Sequence, residues 1–230
     1  MALGAGLGWW WARRRFDVVF RCQQQALETA LAEARIDPLT AIGNRKAFEE
    51  SLSIQVAISR RYQTPCALVL IDVDDLKAIN DRGGHAAGDE ALRRMAGLLR
   101  STLRESDLLM RLGGDEFALI LPHTELVGAQ AAASRLVSQL SGPGERSLDG
   151  GGGSRVLKAS LGVAELRPDE SADDLVSRAD QAQYAAKRAG GNRICVHDGV
   201  GPVDAAVTVP ATGRSDSSFP PDGDRADRPA

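Results

Sequence analysis

The sequence is poor in cysteine: Cys22, Cys66 and Cys195 stand singly along 230 residues. An odd, scattered set argues against a disulfide framework or a cysteine zinc site and fits a reducing compartment. Aromatic residues make up only 4% of the chain, and Trp9, Trp10, Trp11, Phe16 and Phe20 crowd into its first twenty residues. No apolar run reaches the roughly 20 residues that a membrane-spanning helix needs. Neither sign of charge dominates: 28 Lys and Arg against 31 Asp and Glu leave a net charge of −3, so no basic excess draws the chain to nucleic acid. What is present, 43% apolar and 26% charged residues, can bury a core and excludes a wholly disordered protein. The length allows one ordinary domain with appendages, or at most two small ones.

Four segments are expected. Residues 1–22 form an apolar, aromatic stub closed by the basic run Arg13, Arg14 and Arg15. Apolar residues before a basic cluster resemble the cytoplasmic end of a membrane segment. The stub is too short to span, which leaves an interfacial anchor, the end of an upstream span, a partner-binding stub or a frayed terminus. Residues 23–35 read as a helix with Leu27, Leu31 and Ala34 on one seam, which suits a short coiled coil or packing on its own domain. Asp37-Pro38 ends it, because the residue before a proline is pushed out of the α region. Residues 36–198 carry alternating helix and strand signals. Residues 199–230, rich in Pro, Asp, Ser, Gly and Arg, are expected to be a disordered tail, since they offer too little apolar surface to offset their ordering entropy.

Within 36–198 the apolar run Ala67 to Ile71 reads as a central strand buried on both faces. Leu92, Met95, Ala96 and Leu99 make one helical stripe. Ala129, Ala132, Ala133, Leu136, Val137 and Leu140 make a second, and Leu175, Ala179, Ala182 and Ala186 a third. Leu108 to Leu112 and Phe117 to Leu121 flank a Gly-Gly turn, a hairpin signal, and a glycine-rich loop over 142–153 precedes a strand from Val156 to Ala164. The expected fold class is α/β (α+β), a layered sheet with helices packed on it.

Chemistry is signalled by acids in unusual places. The apolar strand runs into Asp72-Val73-Asp74-Asp75, and an acid there is costly to bury without a compensating positive group. Leu112-Gly113-Gly114-Asp115-Glu116-Phe117 places two more acids at a hairpin tip, beside glycines that permit close approach. If the two strands are neighbours, Asp72 and Asp115 converge, and two carboxylates are a minimal grip for Mg²⁺, which fills its shell with water and phosphate oxygens. That points to metal-assisted nucleotidyl chemistry. The plainer alternative makes these acids turn residues, caps and solvated ends.

Six segments in order resemble the GGDEF diguanylate cyclase family. Arg111 to Phe117 looks like its signature, and Asp37 to Arg45 is similar to the opening D-x-L-T-G-L-x-N-R. Asp72 to Asp81 resembles D-[IV]-D-x-F-K-x-[IV]-N-D, and Gly84 to Asp89 resembles G-H-x-x-G-D. Ser160 to Ala164 and Tyr184 to Lys187 match the S-[IL]-G-[VI]-A strand and the closing Y-x-A-K. The resemblance spans roughly residues 36–196. It implies a palm-like architecture with a mixed, mostly antiparallel sheet, and condensation of two GTP to cyclic di-GMP with release of pyrophosphate by a homodimer whose two sites face each other. Carried over by position, Asp72, the Val73 carbonyl and Asp115 would hold Mg²⁺, with Mn²⁺ as a substitute. Asn80 and Asp89 would read the guanine edge, with His85, Gly113 and Gly114 close to the nucleotide. Lys77 and Lys187 would neutralise the triphosphate, and Asp115 or Glu116 would be the base. Arg104 and Asp107 stand in an R-x-x-D at the offset of the family's product-inhibition site.

Some positions depart from the pattern. Leu76 replaces the usual phenylalanine, Gly83 a common aromatic, and Ala41 and Gly43 alter the opening loop. Gly191 stands where the family usually has arginine, so one phosphate-binding charge is missing unless Arg188 or Arg193 replaces it. The second reading is therefore a catalytically weak domain that senses cyclic di-GMP or GTP. Either activity implies a cytoplasmic location, at the inner membrane face if the stub is an anchor.

Overall fold

The computed structural model describes residues 35–140 and 157–205. The N-terminal stub, the seam helix up to residue 34, the glycine-rich loop and the chain beyond residue 205 lie outside the described residues. Helix α1 (Arg45–Tyr62) follows an opening turn, and β1 (Cys66–Val73) and α2 (Leu76–Thr102) come next. Then β2 (Leu108–Gly113), β3 (Glu116–Pro122), α3 (Leu126–Leu140), β4 (Ala159–Glu165), α4 (Ala172–Arg188), β5 (Ile194–His197) and β6 (Pro202–Asp204) complete the unit.

The six strands form one sheet in the order β2-β3-β1-β4-β5-β6. Only β4 and β5 run parallel; the other pairs are antiparallel. β1 lies between β3 and β4, and all eight of its residues are buried, the outcome that a continuous apolar run predicts. Strand side chains alternate between faces, so β1 contributes to two cores. Ala67, Val69, Ile71 and Val73 pack under Leu92, Met95 and Leu99 of α2 and Ala133, Leu136 and Leu140 of α3. Leu68 and Leu70 meet Phe48, Leu52 and Val56 of α1 and Leu175 and Ala179 of α4 on the other face. Each large apolar side chain buried this way contributes about 1.5–3 kcal/mol.

Glycine is required where α4 crosses the sheet. A Cβ at Gly162 would stand 2.1 Å from the Ala179 carbonyl oxygen and 2.3 Å from the Gln183 nitrogen, so the helix backbone rests directly on β4.

Two sequence expectations need correction. Helix α1 is absent from the sequence reading, although Phe48, Leu52 and Val56 make its buried stripe and the Asn44 side chain caps it by accepting the Ala47 N–H. The tail does not begin at residue 199: Pro202, Val203 and Asp204 pair with β5, and Ala205 is buried. Three residues held by backbone hydrogen bonds and an Arg193–Asp204 ion pair of 3.1 Å need no apolar content, and average composition conceals them.

Candidate functional site

The central strand delivers an acid to the end of the sheet. Asp72 shares the face of Leu68 and Leu70, the face covered by α1 and α4, and it stands opposite Glu116 of β3 and Ser160 of β4. The Asp72 side chain is only 6% exposed. Lys187, in the last turn of α4, places its Nζ 2.6 Å from Asp72 Oδ2. Burial pushes the Asp72 carboxyl above its ordinary range despite that bond, and the neighbouring charges of Asp115 and Asp74 push the same way. Burial alone would lower the Lys187 ammonium, but its bond to Asp72 and the fields of Asp115 and Asp74 raise it, so it stays protonated.

Asp115 belongs to the tight turn between β2 and β3. Gly113 and Gly114 take φ values of 137° and 52°, which glycine adopts without strain. The Asp115 carbonyl accepts the Val73 N–H at 3.0 Å, which brings the hairpin tip against the end of β1. Asp72 and Asp115, 43 residues apart in the chain, are thus neighbours in space.

The opening turn fixes that hairpin, a role the sequence reading did not assign. Arg111 reaches Asp37 at 3.2 Å and donates to the Gly114 carbonyl at 2.7 Å. Gly43 forms a bridge with Met110, and a Cβ on Gly43 would lie 2.7 Å from Met110 Cγ. Arg45 donates to the Leu112 carbonyl at 3.0 Å and sits 3.7 Å from Glu116. Burial opposes the ionised Asp37, but Thr40 and Arg111 outweigh it and hold its carboxyl below the ordinary range. An aspartate before a proline and an arginine before the glycines were the available signals; their pairing is a long-range contact.

Helix α2 starts beside β1. Its cap, Asp75, is left-handed (φ 60°) and makes no side-chain capping bond. The first-turn N–H groups of a helix bind anions when no cap satisfies them, and the exposed Lys77 lies in that turn. Gly84 (φ 74°, ψ 173°) breaks the helix. Beyond the break His85 is exposed, and Gly88 lets the Asn80 side chain approach so closely that a Cβ there would stand 1.9 Å from Asn80 Oδ1. Asn80 thus packs on the residue that precedes Asp89. Leu76, which departs from the phenylalanine of the resembled pattern, packs against the core.

Arg104 and Asp107 stand apart, in the turn between α2 and β2. The Asp107 carboxylate accepts the Arg104 N–H at 2.9 Å, and the Asp107 N–H donates to the Arg104 carbonyl at 3.1 Å. They form a capped turn, and the Arg104 side chain is exposed.

At the closing turn, Gly191 has φ 70°, and a Cβ there would lie 3.0 Å from Asp74 Oδ2. Asp74 is held by Ser160 Oγ at 2.8 Å and the Asn192 N–H at 2.7 Å. Arg188 and Arg193 are both engaged. Arg188 lies 6.0 Å from the Tyr184 ring centre, and Arg193 donates to the Gly191 carbonyl and pairs with Asp204.

The donor set fits a hard divalent cation. Asp72 and Asp115 offer only carboxylate oxygens, and their mutual repulsion is what a dication relieves. Among the described residues no group of three or more His, Cys, Asp or Glu is gathered closely enough to hold a metal by itself. The remaining positions must be filled by main-chain carbonyl, water and phosphate, the mixture Mg²⁺ prefers. No helix of the described residues is long and apolar enough to cross a membrane.

A family model described as "Diguanylate cyclase, GGDEF domain" matches residues 34–193. The chain is 39% identical over 163 residues to the probable diguanylate cyclase DgcE of Escherichia coli K12, covering 70% of this chain and 14% of that protein. It is 37% identical over 168 residues to the diguanylate cyclase DgcP of Pseudomonas aeruginosa PAO1, covering 73% and 25%. The chain therefore spans a quarter or less of the length of these two relatives. The GGDEF domain of DgcB from Caulobacter crescentus, solved in complex with c-di-GMP, superposes with a TM-score of 0.67 at 31% identity, covering 72% of this chain and 96% of that one.

Proposed function

This chain belongs to the GGDEF family of diguanylate cyclase domains, and on that premise we propose that it condenses two GTP into cyclic di-GMP with release of two pyrophosphates. The supporting observation is the meeting of Asp72 and Asp115 at one end of the sheet with Lys187 between carboxylate and solvent. Asp72, the Val73 carbonyl and Asp115 would hold Mg²⁺. Bound there, the cation would supply Lewis acidity at the α-phosphate and would lower the cost of ionising a 3′-hydroxyl.

The protein's own groups bind, orient and move a proton. The open first turn of α2 and Lys77 receive the triphosphate, and Lys187 moves from Asp72 toward the phosphates as their charge arrives. Asp89 accepts from guanine N1–H and N2–H, and Asn80 pairs with the same base; adenine offers no such donor pair, which favours GTP. His85 lies close to the nucleotide. The 3′-oxygen forms its bond to the α-phosphorus as the bond to pyrophosphate breaks, and Asp115 or Glu116 takes the hydroxyl proton. Charge building on the phosphorus oxygens is offset by the lysines, placed before the reaction begins.

Each domain presents one 3′-hydroxyl, so both phosphodiester bonds form only when two copies oppose their nucleotides; the active unit in this reading is a homodimer. Arg104 suits binding of cyclic di-GMP, because an exposed guanidinium can fork onto phosphate or a guanine edge. With Asp107 it forms the product-inhibition site of this proposal. The buried free thiols Cys66 and Cys195, with the Cys66 thiol pushed up to about 11 by burial, suit the reducing cytoplasm that supplies GTP.

Purified protein with GTP and Mg²⁺ is expected to yield cyclic di-GMP at a specific rate that rises with protein concentration, and Asp115→Ala to abolish it. Absence of product at high protein concentration would overturn the proposal. A sensor reading is favoured by one observation, the glycine at 191 with Arg188 and Arg193 both engaged elsewhere. Tight cyclic di-GMP binding without turnover, lost in Arg104→Ala, would select it.

A further inference from the structure

We propose that Lys158 is a further substrate-binding residue, a third lysine that contacts the triphosphate beside the position where residue 191 offers no side chain. The inference rests on the reading of the site as a GTP site. Asp72, Asp74, Asp75, Asp115 and Glu116 lie at this end of the sheet, against Lys77, Lys187 and Arg45, which sits 3.7 Å from Glu116. Lys187 already neutralises Asp72 at 2.6 Å. A polyphosphate entering so acidic a cleft would gain from further positive charge beside these groups and a divalent cation.

Residue 191 does not supply it. Its left-handed backbone and the Asp74 carboxylate 3.0 Å from a Cβ position disfavour any side chain there. Arg193 is held by Asp204 and by the Gly191 carbonyl, and Arg188 lies over Tyr184.

Lys158 is placed to do so. Its carbonyl accepts the Asp74 N–H at 2.9 Å, so its backbone flanks the same aspartate that closes off residue 191 from the other side. Two residues on, Ser160 donates to Asp74 and stands opposite Asp72. Positions two apart in an extended segment share a face, which puts Lys158 on the face of Asp72 and Lys187, just past the end of β1. Its side chain is exposed and makes no ion pair or hydrogen bond among the described residues. An ammonium on a flexible stem can therefore turn toward an incoming phosphate without breaking an existing contact.

The test compares a non-hydrolysable GTP analogue with GMP, each titrated with Mg²⁺ onto the full chain. Lys158→Met is expected to weaken the triphosphate analogue about tenfold and to leave GMP within twofold, while Lys158→Arg keeps the analogue within threefold. An unchanged affinity of Lys158→Met for the analogue, as a solvated surface lysine would give, overturns the inference and leaves the GTP site standing. Equal weakening of both ligands overturns it too, since the loss would then not follow the phosphates. A wild-type chain that binds neither ligand removes the functional reading and this inference with it.

Discussion

The two ends of β1 both gather charge, and they treat it in opposite ways. At the Cys66 end, Arg178 is buried and bonds Glu170 and the Glu165 carbonyl, while Glu165 accepts the Leu126 N–H at the start of α3. Arg60 donates to the Glu170 carbonyl. Every one of these groups is spent on another part of the chain. At the Asp72 end carboxylates crowd one another, burial and repulsion push Asp72 upward, Lys77 and Lys158 lack an ion pair among the described residues, and α2 begins without a side-chain cap. A closed network holds helices to the sheet; an open one keeps unmet electrostatic demand for a ligand to fill. On the proposed reading, the comparison separates structural charge from functional charge by how far the partners are already in place: at the Asp72 end Lys187 holds Asp72, while Lys77 and Lys158 make no ion pair among the described residues.

The widest break in that comparison is expected from Asp72→Asn. Turnover should fall by at least about 10³-fold, while the thermal midpoint at pH 7 rises. The folded-state pKa of Asp72 lies above its unfolded value, so its favourable contribution is complete below the unfolded pKa and is lost as pH rises through the folded one. A neutral amide recovers it, and a lower midpoint by calorimetry would contradict the open-end reading. Arg178→Ala at the other end should cost about 3–5 kcal/mol in denaturant unfolding, because Glu170 is left buried and unpaired. Nucleotide affinity per folded molecule should stay within about twofold, and a selective loss of affinity would blur the distinction between the ends.

The hairpin clamp should show an intermediate effect. Asp37→Ala is expected to cost about 1–3 kcal/mol, since it leaves Arg111 without its carboxylate. Asp37 has a folded pKa below its unfolded value, so its contribution is present above the ordinary carboxylate range and disappears as pH falls through the folded pKa. Wild type and variant should therefore converge in stability in acid, which a pH series of unfolding curves will test. The smallest effect is expected from Arg45→Ala: its ion pair with Glu116 is exposed at 3.7 Å, and pairs of that kind contribute roughly 0–1 kcal/mol.

Periodicity made the cores legible. The stripes through Leu92–Leu99, Ala129–Leu140 and Leu175–Ala186 are the buried faces of α2, α3 and α4, and the apolar run is the central strand. Helix α1 carries a comparable stripe, which a sequence dense in charge obscures. The candidate site was legible at the residues bearing charge inside or beside apolar runs, Asp72 above all. Asp37 with Arg111, Asp74 with Gly191, and the place of Lys158 were not, because each depends on register between segments remote in sequence.

By itself the chain of residue types determined the layers, the strand at the centre and the glycines at the hairpin tip, since burial of apolar side chains and left-handed backbone are local demands. Which strand lies beside which, and hence that Asp72, Asp115 and Lys187 share one end of the sheet, was decided only by tertiary pairing. Hydrogen-bond ladders are indifferent to side-chain identity, and their register is selected by the packing of the whole sheet against its four helices.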